Sequence, residues 1–464
     1  MFCVPVWLIF QSVKIQLMKV QTSNLPPTVK ADLFGGHFLT FRRDPTGFLQ
    51  KLSKLGDVTV CKMGNVPGYL LNHPDLIRDL LVTNQAKFIK GRALQRAKGL
   101  LGEGLLTSER EFHLQQRRMI QPAFHRQRIA GYAESMIEFS ERLSNEWRSG
   151  EVRDIDKEMM RLTLWIVGKT LFSANVEDET AQVGEAMTTI VSMFNFMLFP
   201  FSEILEKLPL PPIKRLKHAR KTLDEVIYKI IDERRKSGED TGDLLSMLLL
   251  AQDEETGGAM TDKQVRDECL TLFLAGHETT ANALVWTFYL LSQNPEAERK
   301  FHRELDEVLG DAALTPDDYP RLKYTEAVLA ESMRLFPPAW TVGRLSIEEH
   351  EFGGFRIAPK SLILASQFIM HRDRRFWNEP DEFVPERWET LSIKEAGNRF
   401  IYFPFSKGVR NCIGESFAWM ESVLLLANLG RRWKLSLLPE QKIAVNAMIT
   451  LRPKFGMKMR IESR

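Results

Sequence analysis

The stretch "FPFSKGVRNCIGESFAWM", Phe403 to Met420, sets one cysteine among glycines and an arginine directly ahead of an apolar run at helical spacing. Phe405, Gly408, Arg410, Cys412 and Gly414 fit F-x-x-G-x-R-x-C-x-G, five fixed positions in ten. A helix N-terminus offers free amides and the positive end of the helix dipole, and both stabilise negative sulfur. Glycines beside it let the backbone approach a flat ligand closely. The other cysteines, Cys3, Cys61 and Cys269, are scattered and form no CxxC pair. Neither a disulfide framework nor a cysteine-rich zinc or iron–sulfur site is expected. Cys61 and Cys269 read as small core residues, and Cys412 as a thiolate ligand.

With 464 residues and 44% hydrophobic composition, the chain can bury a large core. Lysine plus arginine total 63 against 60 acidic residues, without a long basic block or aromatic platform, which argues against nucleic acid as a partner. Alternation and glycine turns predict two short strands between Gly56 and Leu71. Helical periodicity dominates from Asp75 to Glu307. A β pattern turns at Gly353 and Gly354, and short strands close the chain at "WKLSLL" and "FGMKMR". Without internal repeats or low-complexity linkers, the expectation is one mainly α domain with a minor β portion. The leading "MFCVPVWLIF" holds about ten residues, short of the roughly 20 a membrane span needs. It also lacks a basic leader and a small-residue cleavage site. A cytoplasmic chain with a loosely attached apolar tail, residues 1–24, is favoured, with peripheral membrane contact through that tail as the alternative.

A second segment, "LFLAGHETTANAL" from Leu272 to Leu284, interrupts an apolar helix with polar residues and a glycine, which costs roughly 1 kcal/mol against alanine. Thr261 and Gln264 form a T-x-x-Q capping box, and Pro295 stops the helix after Ser292. About thirty residues at 1.5 Å each give on the order of 45 Å, so the interruption falls near mid-molecule. His277 and Glu278 begin the HExxH pattern of zinc proteases, but Ala281 occupies the second histidine position, so zinc hydrolysis is not expected. Thr279 and Thr280 could also simply back-bond to carbonyls one turn earlier.

The Cys412 frame resembles the haem-binding loop of the cytochromes P-450, the haem-thiolate monooxygenases, and the resemblance extends through most of the chain. It implies a single haem domain over residues 25–464. It implies that Glu331 and Arg334 of "ESMR", with Arg387 of "FVPERW", form a buried ion network; alone, such an i,i+3 pair is a common surface feature. Arg410, Arg344, His113 and Arg117 are implied to hold the haem propionates. His113 stands where tryptophan is commoner, so a plain basic helix face remains the alternative for that pair. Ala275 and Gly276 are implied to leave room over the iron, while Glu278 and Thr279 convey protons to bound oxygen. Some fatty-acid ω-hydroxylases carry glutamate at the position of Ala275 and bond it to haem; alanine implies a non-covalent haem b.

The chain has no dinucleotide fingerprint, so electrons derived from NAD(P)H are expected through a separate ferredoxin with its reductase, or a flavoprotein reductase. Lys407, Arg410 and the basic "HRDRR", His371 to Arg375, could attract an acidic donor, a solvated surface being the equal alternative for the latter. By resemblance the pocket is lined by Leu100 to Leu106, the run from Met193 to Phe201, Ala339 to Val342 and Met448 to Thr450. Phe194, Phe196, Phe199, Trp340 and Met448 are prominent there, which suits a small lipophilic substrate such as a fatty acid, terpenoid or steroid. "MGNVPGYLL" offers no arginine to clamp a carboxylate, which counts against a dedicated fatty-acid enzyme. A monomer inserting one oxygen atom from dioxygen is the expectation. The rivals are a haem-thiolate isomerase or peroxygenase, which commonly lacks the acid–threonine pair, and a non-catalytic haem sensor, which need not keep it.

Overall fold

The longest helix among the described residues begins where its capping box places it. Thr261 Oγ1 accepts from Gln264 N, the Gln264 side chain accepts from Thr261 N, and the helix runs Asp262–Gln293. Its 32 residues span about 48 Å. The computed structural model describes residues 25–32, 35–173, 183–190, 193, 208, 210–252 and 257–464. The apolar tail and Phe194, Phe196 and Phe199 lie outside these residues.

The long helix is covered nearly all round. Ile155–Phe172 packs along it most extensively, joined by Pro211–Ser237, Lys323–Leu335 and Glu415–Arg432. A helix clothed on every side should be apolar throughout, yet His277, Glu278, Thr280 and Asn282 are buried at its centre. A Cβ on Gly276 would lie 3.0 Å from Val167 Cγ2. This glycine therefore serves the close approach of Ile155–Phe172, and Ala275 is the residue left open.

The strands are Val58–Met63 (β1), Val66–Leu71 (β2), Phe88–Lys90 (β3), Val152–Asp154 (β4), Val342–Ser346 (β5), His350–Phe352 (β6), Phe355–Ile357 (β7), Leu362–Ala365 (β8), Trp433–Leu437 (β9), Val445–Ala447 (β10), Leu451–Pro453 (β11) and Lys458–Ser463 (β12). A five-stranded sheet has the order β1-β2-β8-β5-β3, with β2 and β8 parallel. Gly353 and Gly354 turn the β6–β7 hairpin with positive φ, as their position between two short β runs predicts. β3, β4, β10 and β11 have three residues each, too few to show alternation in the sequence. Two of them carry groups that matter below: β3 ends in Lys90, and β11 contains Arg452. Helix dominates and strand is the minor part. Among the described residues, no helix is long and apolar enough to cross a membrane.

Candidate active site

Cys412 sits two residues ahead of Gly414, which caps the helix Glu415–Arg432. Its loop is held by contacts from four directions. Cys412 N donates to Phe405 O at 2.9 Å, and Asn411 N to Gly408 O at 3.0 Å. Gly408 has φ +77°, and a Cβ there would stand 2.1 Å from Leu81 O, so both conformation and space require glycine. Arg117 grips the loop from the side, donating from Nη1 to Asn411 O and from Nη2 to Asn411 Oδ1, each at 2.8 Å. Phe403 N donates to His371 Nε2 at 2.9 Å, which puts the imidazole proton on Nδ1. His371 is fully buried, and burial with nearby Arg334 and Arg372 keeps it neutral.

Cys412 is exposed, while the groups packed around its loop partly desolvate the thiol. Burial pushes the free thiol up to about 11, opposed by the Gly414 amide and the Arg117 cation. A metal bound at such a thiol takes it as thiolate whatever its free value. Cys61 and Cys269 are core residues instead, and burial pushes both thiols up.

Behind the loop, Glu331 and Arg334 are fully buried. Glu331 takes both forks of Arg334 at 2.9 Å, Arg387 Nε at 2.8 Å, Trp388 Nε1 at 3.1 Å and Val384 N at 3.0 Å. Arg334 also donates to His371 O at 2.8 Å, Pro380 O at 2.6 Å and Glu382 O at 2.8 Å. The i,i+3 pair is thus an internal knot, and through His371 it reaches Phe403, where the cysteine loop starts. The expected donor-attracting segment "HRDRR" is divided: His371 and Arg372 turn inward, whereas Arg374 and Arg375 are exposed. His371 is buried, Arg372 lies 4.1 Å over Phe368, and Arg375 pairs with Asp57 and Asp373.

A cationic cluster lies beside the loop. Lys90, Arg344 and Arg410 crowd one another, Lys90 and Arg410 also crowd His113, and Glu109 is the carboxylate among them. Burial first and neighbouring cations second depress these groups: His113 falls to about 3 and Arg344 to about 10. His113 Nδ1 bonds Leu105 O at 3.1 Å, while its buried Nε2 has no partner. Buried cations that crowd one another around a single carboxylate call for a further anion. Arg117, expected at such an anion, instead clamps Asn411, and the basic-face alternative for His113 is overturned by its burial.

Opposite in chemistry is the uncovered strip of the long helix. Ala275 and Thr279, four apart on one face, are open, with half-buried Gly276 beside them, where Leu274, His277, Glu278 and Thr280 are buried. Thr279 Oγ1 donates to Ala275 O at 2.6 Å, the back-bond anticipated for it, which leaves its oxygen lone pairs as acceptors. Glu278 points elsewhere: it is buried, accepts from Thr450 Oγ1 at 2.7 Å and has Arg452 Nη1 at 3.8 Å. Burial raises its pKa above the usual carboxylate value, with Thr450 and Arg452 pulling the other way.

The cytochrome P450 family model, written here cytochrome P-450, matches residues 26–458. The chain belongs to the cytochrome P-450 family. It is 40% identical to a cyclooctatin synthase of Streptomyces melanosporofaciens over 90% of this chain and 91% of that relative. It is 37% identical to a cyclooctat-9-en-7-ol 5-monooxygenase of the same organism, over 87% and 88%. It is 32% identical to a pentalenene oxygenase of Streptomyces avermitilis, over 92% and 95%. The chain is a P-450 monooxygenase, and membership implies a haem-thiolate cofactor. The residues present fit one: an accessible cysteine at a helix N-terminus, an anion-seeking cluster with an orphaned buried nitrogen, and an open small-residue strip.

Several expectations for this P-450 are corrected. Trp340, expected on the pocket wall, is buried in a cluster with Phe48, Leu70 and Phe368, and Nε1 donates to Met448 O at 2.9 Å. Met448 is half-buried and takes Asn446 Nδ2 on its sulfur. Arg410 is occupied by Ser108 O and Glu109, which removes it from donor attraction. Sequence reasoning overlooked Lys90, Glu109 and Arg452, and gave His371 a surface role where it is buried against the Phe403 amide. Thr450, placed on the pocket wall, has its hydroxyl on Glu278 instead.

Proposed function

We propose that Cys412 holds the iron of a non-covalent haem b and that the substrate is a terpenoid hydrocarbon or alcohol. The observation that carries the cofactor assignment is the accessible Cys412 sulfur on a loop fixed from four sides. When bound, the haem supplies dioxygen activation and insertion of one oxygen atom into the substrate. Lys90, Arg344, Arg410 and His113 are the partners for the propionates, and an anion there reverses the crowding that keeps His113 neutral. Lys90→Met should speed haem loss to a scavenger apoprotein by about tenfold or more, a charge-assisted hydrogen bond contributing about 1.5–3 kcal/mol.

Terpenoid chemistry is supported by the relatives' names, two of which specify an alkene, pentalenene, and an alkenol, cyclooctat-9-en-7-ol. Apolar Ala275 on the open strip suits such a skeleton. Titrating cyclic terpene alkenes and alcohols against the ferric holoenzyme should shift its spin state, whereas fatty acids should not. A response to fatty acids alone would overturn the substrate class.

Proton supply falls to Glu278 and Thr279. Thr279, its own proton committed to Ala275 O, accepts a hydrogen bond from a hydroxylic oxygen or water on the open strip, and Glu278 is the buried acid one residue away. Thr279→Ala should raise peroxide release about tenfold relative to product, with the reduced carbon-monoxide spectrum unchanged. Unchanged coupling would remove the threonine from the relay. P-450 enzymes typically take electrons from a ferredoxin or flavoprotein. Exposed Val82 and Val409 beside half-buried Lys407 are the surface we assign to that partner.

A further inference from the structure

Glu278 opens onto a second set of buried groups that no step above uses. Thr450 Oγ1 donates to Glu278 Oε1 at 2.7 Å and accepts from Asn282 Nδ2 at 3.2 Å, so Oε1 is held as an acceptor. Among the described residues Oε2 takes no hydrogen bond, which leaves it as the oxygen to carry a proton. On the same β11 segment, Arg452 stands between two carboxylates. Nη1 is 3.8 Å from Glu278 Oε1, and Nη2 is 3.4 Å from Asp156 Oδ2 on the Ile155–Phe172 helix. The first is beyond hydrogen-bond range and the second is a long hydrogen bond, so neither is a closely docked ion pair. Asp156 is buried and its Oδ1 has no partner. Arg452 is 22% exposed, so it connects these interior acids with solvent.

We propose that Arg452 is a shared counter-ion that divides its charge between Glu278 and Asp156 and thereby sets when Glu278 takes up a proton from solvent. The proposal rests on Glu278 being the acid of the oxygen site. With Arg452 drawn to Asp156, the buried Glu278 carboxylate loses its cation and binds a proton at Oε2. With Arg452 returned to Glu278, that proton is released toward the open strip, and the carboxylate is restored. Among the described residues no other cation is recorded as acting on Glu278. His277 on the same helix is held neutral by burial with Nδ1 on Phe273 O, and Asp154, beside Asp156, is the remaining acid.

The test uses holoenzyme, checked by its reduced carbon-monoxide spectrum. Difference infrared titration follows the protonated-carboxyl band that Glu278→Gln abolishes. Arg452→Gln should move its midpoint up by about one pH unit, the usual size for loss of an opposite charge at this range. Asp156→Asn, which frees Arg452 for Glu278 and removes a like charge, should move it down. Arg452→Lys should leave it nearly in place, and carries the comparison with Asp156→Asn if the glutamine variant does not yield holoenzyme. Opposite shifts establish the shared counter-ion. Midpoints that stay together or move in one direction overturn it. If Thr279→Ala uncouples turnover while the midpoints ignore Arg452 and Asp156, only this proposal fails. If Glu278→Gln leaves coupling intact, the acid role of Glu278 itself is at fault.

Discussion

Cys412→Ser is expected to fold normally and to lose turnover by at least about three orders of magnitude, roughly 4 kcal/mol on the barrier. The loop that carries the residue is fixed by Asn411, Phe403, Phe405 and Gly408, and none of these contacts uses the sulfur. Stability should therefore change by no more than about 1 kcal/mol. What disappears is the anionic donor whose electron push favours O–O cleavage. The checks are a urea midpoint close to that of the parent and a reduced carbon-monoxide spectrum without the red-shifted thiolate band. Persistence of that band in the serine variant would remove Cys412 as the ligand.

Glu331→Ala should do the reverse and unmake the protein before its chemistry can be measured. Arg334 and Arg387 would lose their shared carboxylate, and Arg334 is fully buried. An uncompensated buried charge costs about 3–5 kcal/mol, a large share of the 5–15 kcal/mol typical of a whole domain. Trp388 Nε1 and Val384 N would lose their acceptor as well. The expected result is a urea midpoint far below the parent's, with most of the expressed chain free of haem. Glu331→Gln should fall between, since an amide oxygen still accepts from Trp388 but brings no charge. A parent-like midpoint for the alanine variant would show that the network contributes nothing to stability.

What could be read along the chain was read from local spacing. Phe405, Gly408, Arg410, Cys412 and Gly414 stand within ten residues, and the Thr261–Gln264 cap within four. Both signals sit inside the window where spacing dictates geometry. Thr450 and Glu278 are 172 positions apart, and Asn411 and Arg117 are 294 apart. Such contacts exist only through tertiary packing, and no periodicity announces them. Trp340 is ambiguous for a related reason: an indole in an apolar run suits a pocket wall and a core equally, and its acceptor, Met448 O, lies 108 positions away. Gly276 was ambiguous in the same way until Val167 was seen to fill the space beside it.

The cysteine loop draws its support from Arg117, His371, Leu81 and the Glu331 knot, while half-buried Leu106 and Met448, from segments that the family resemblance assigns to the pocket, take no part in that support. Substrate preference and iron ligation are therefore thermodynamically separable. Free-energy effects of exchanging Leu106 or Met448 should add, within about 0.5 kcal/mol, to those of changes around Asn411. A lineage of such proteins can vary what it oxidises without re-solving how it holds the metal.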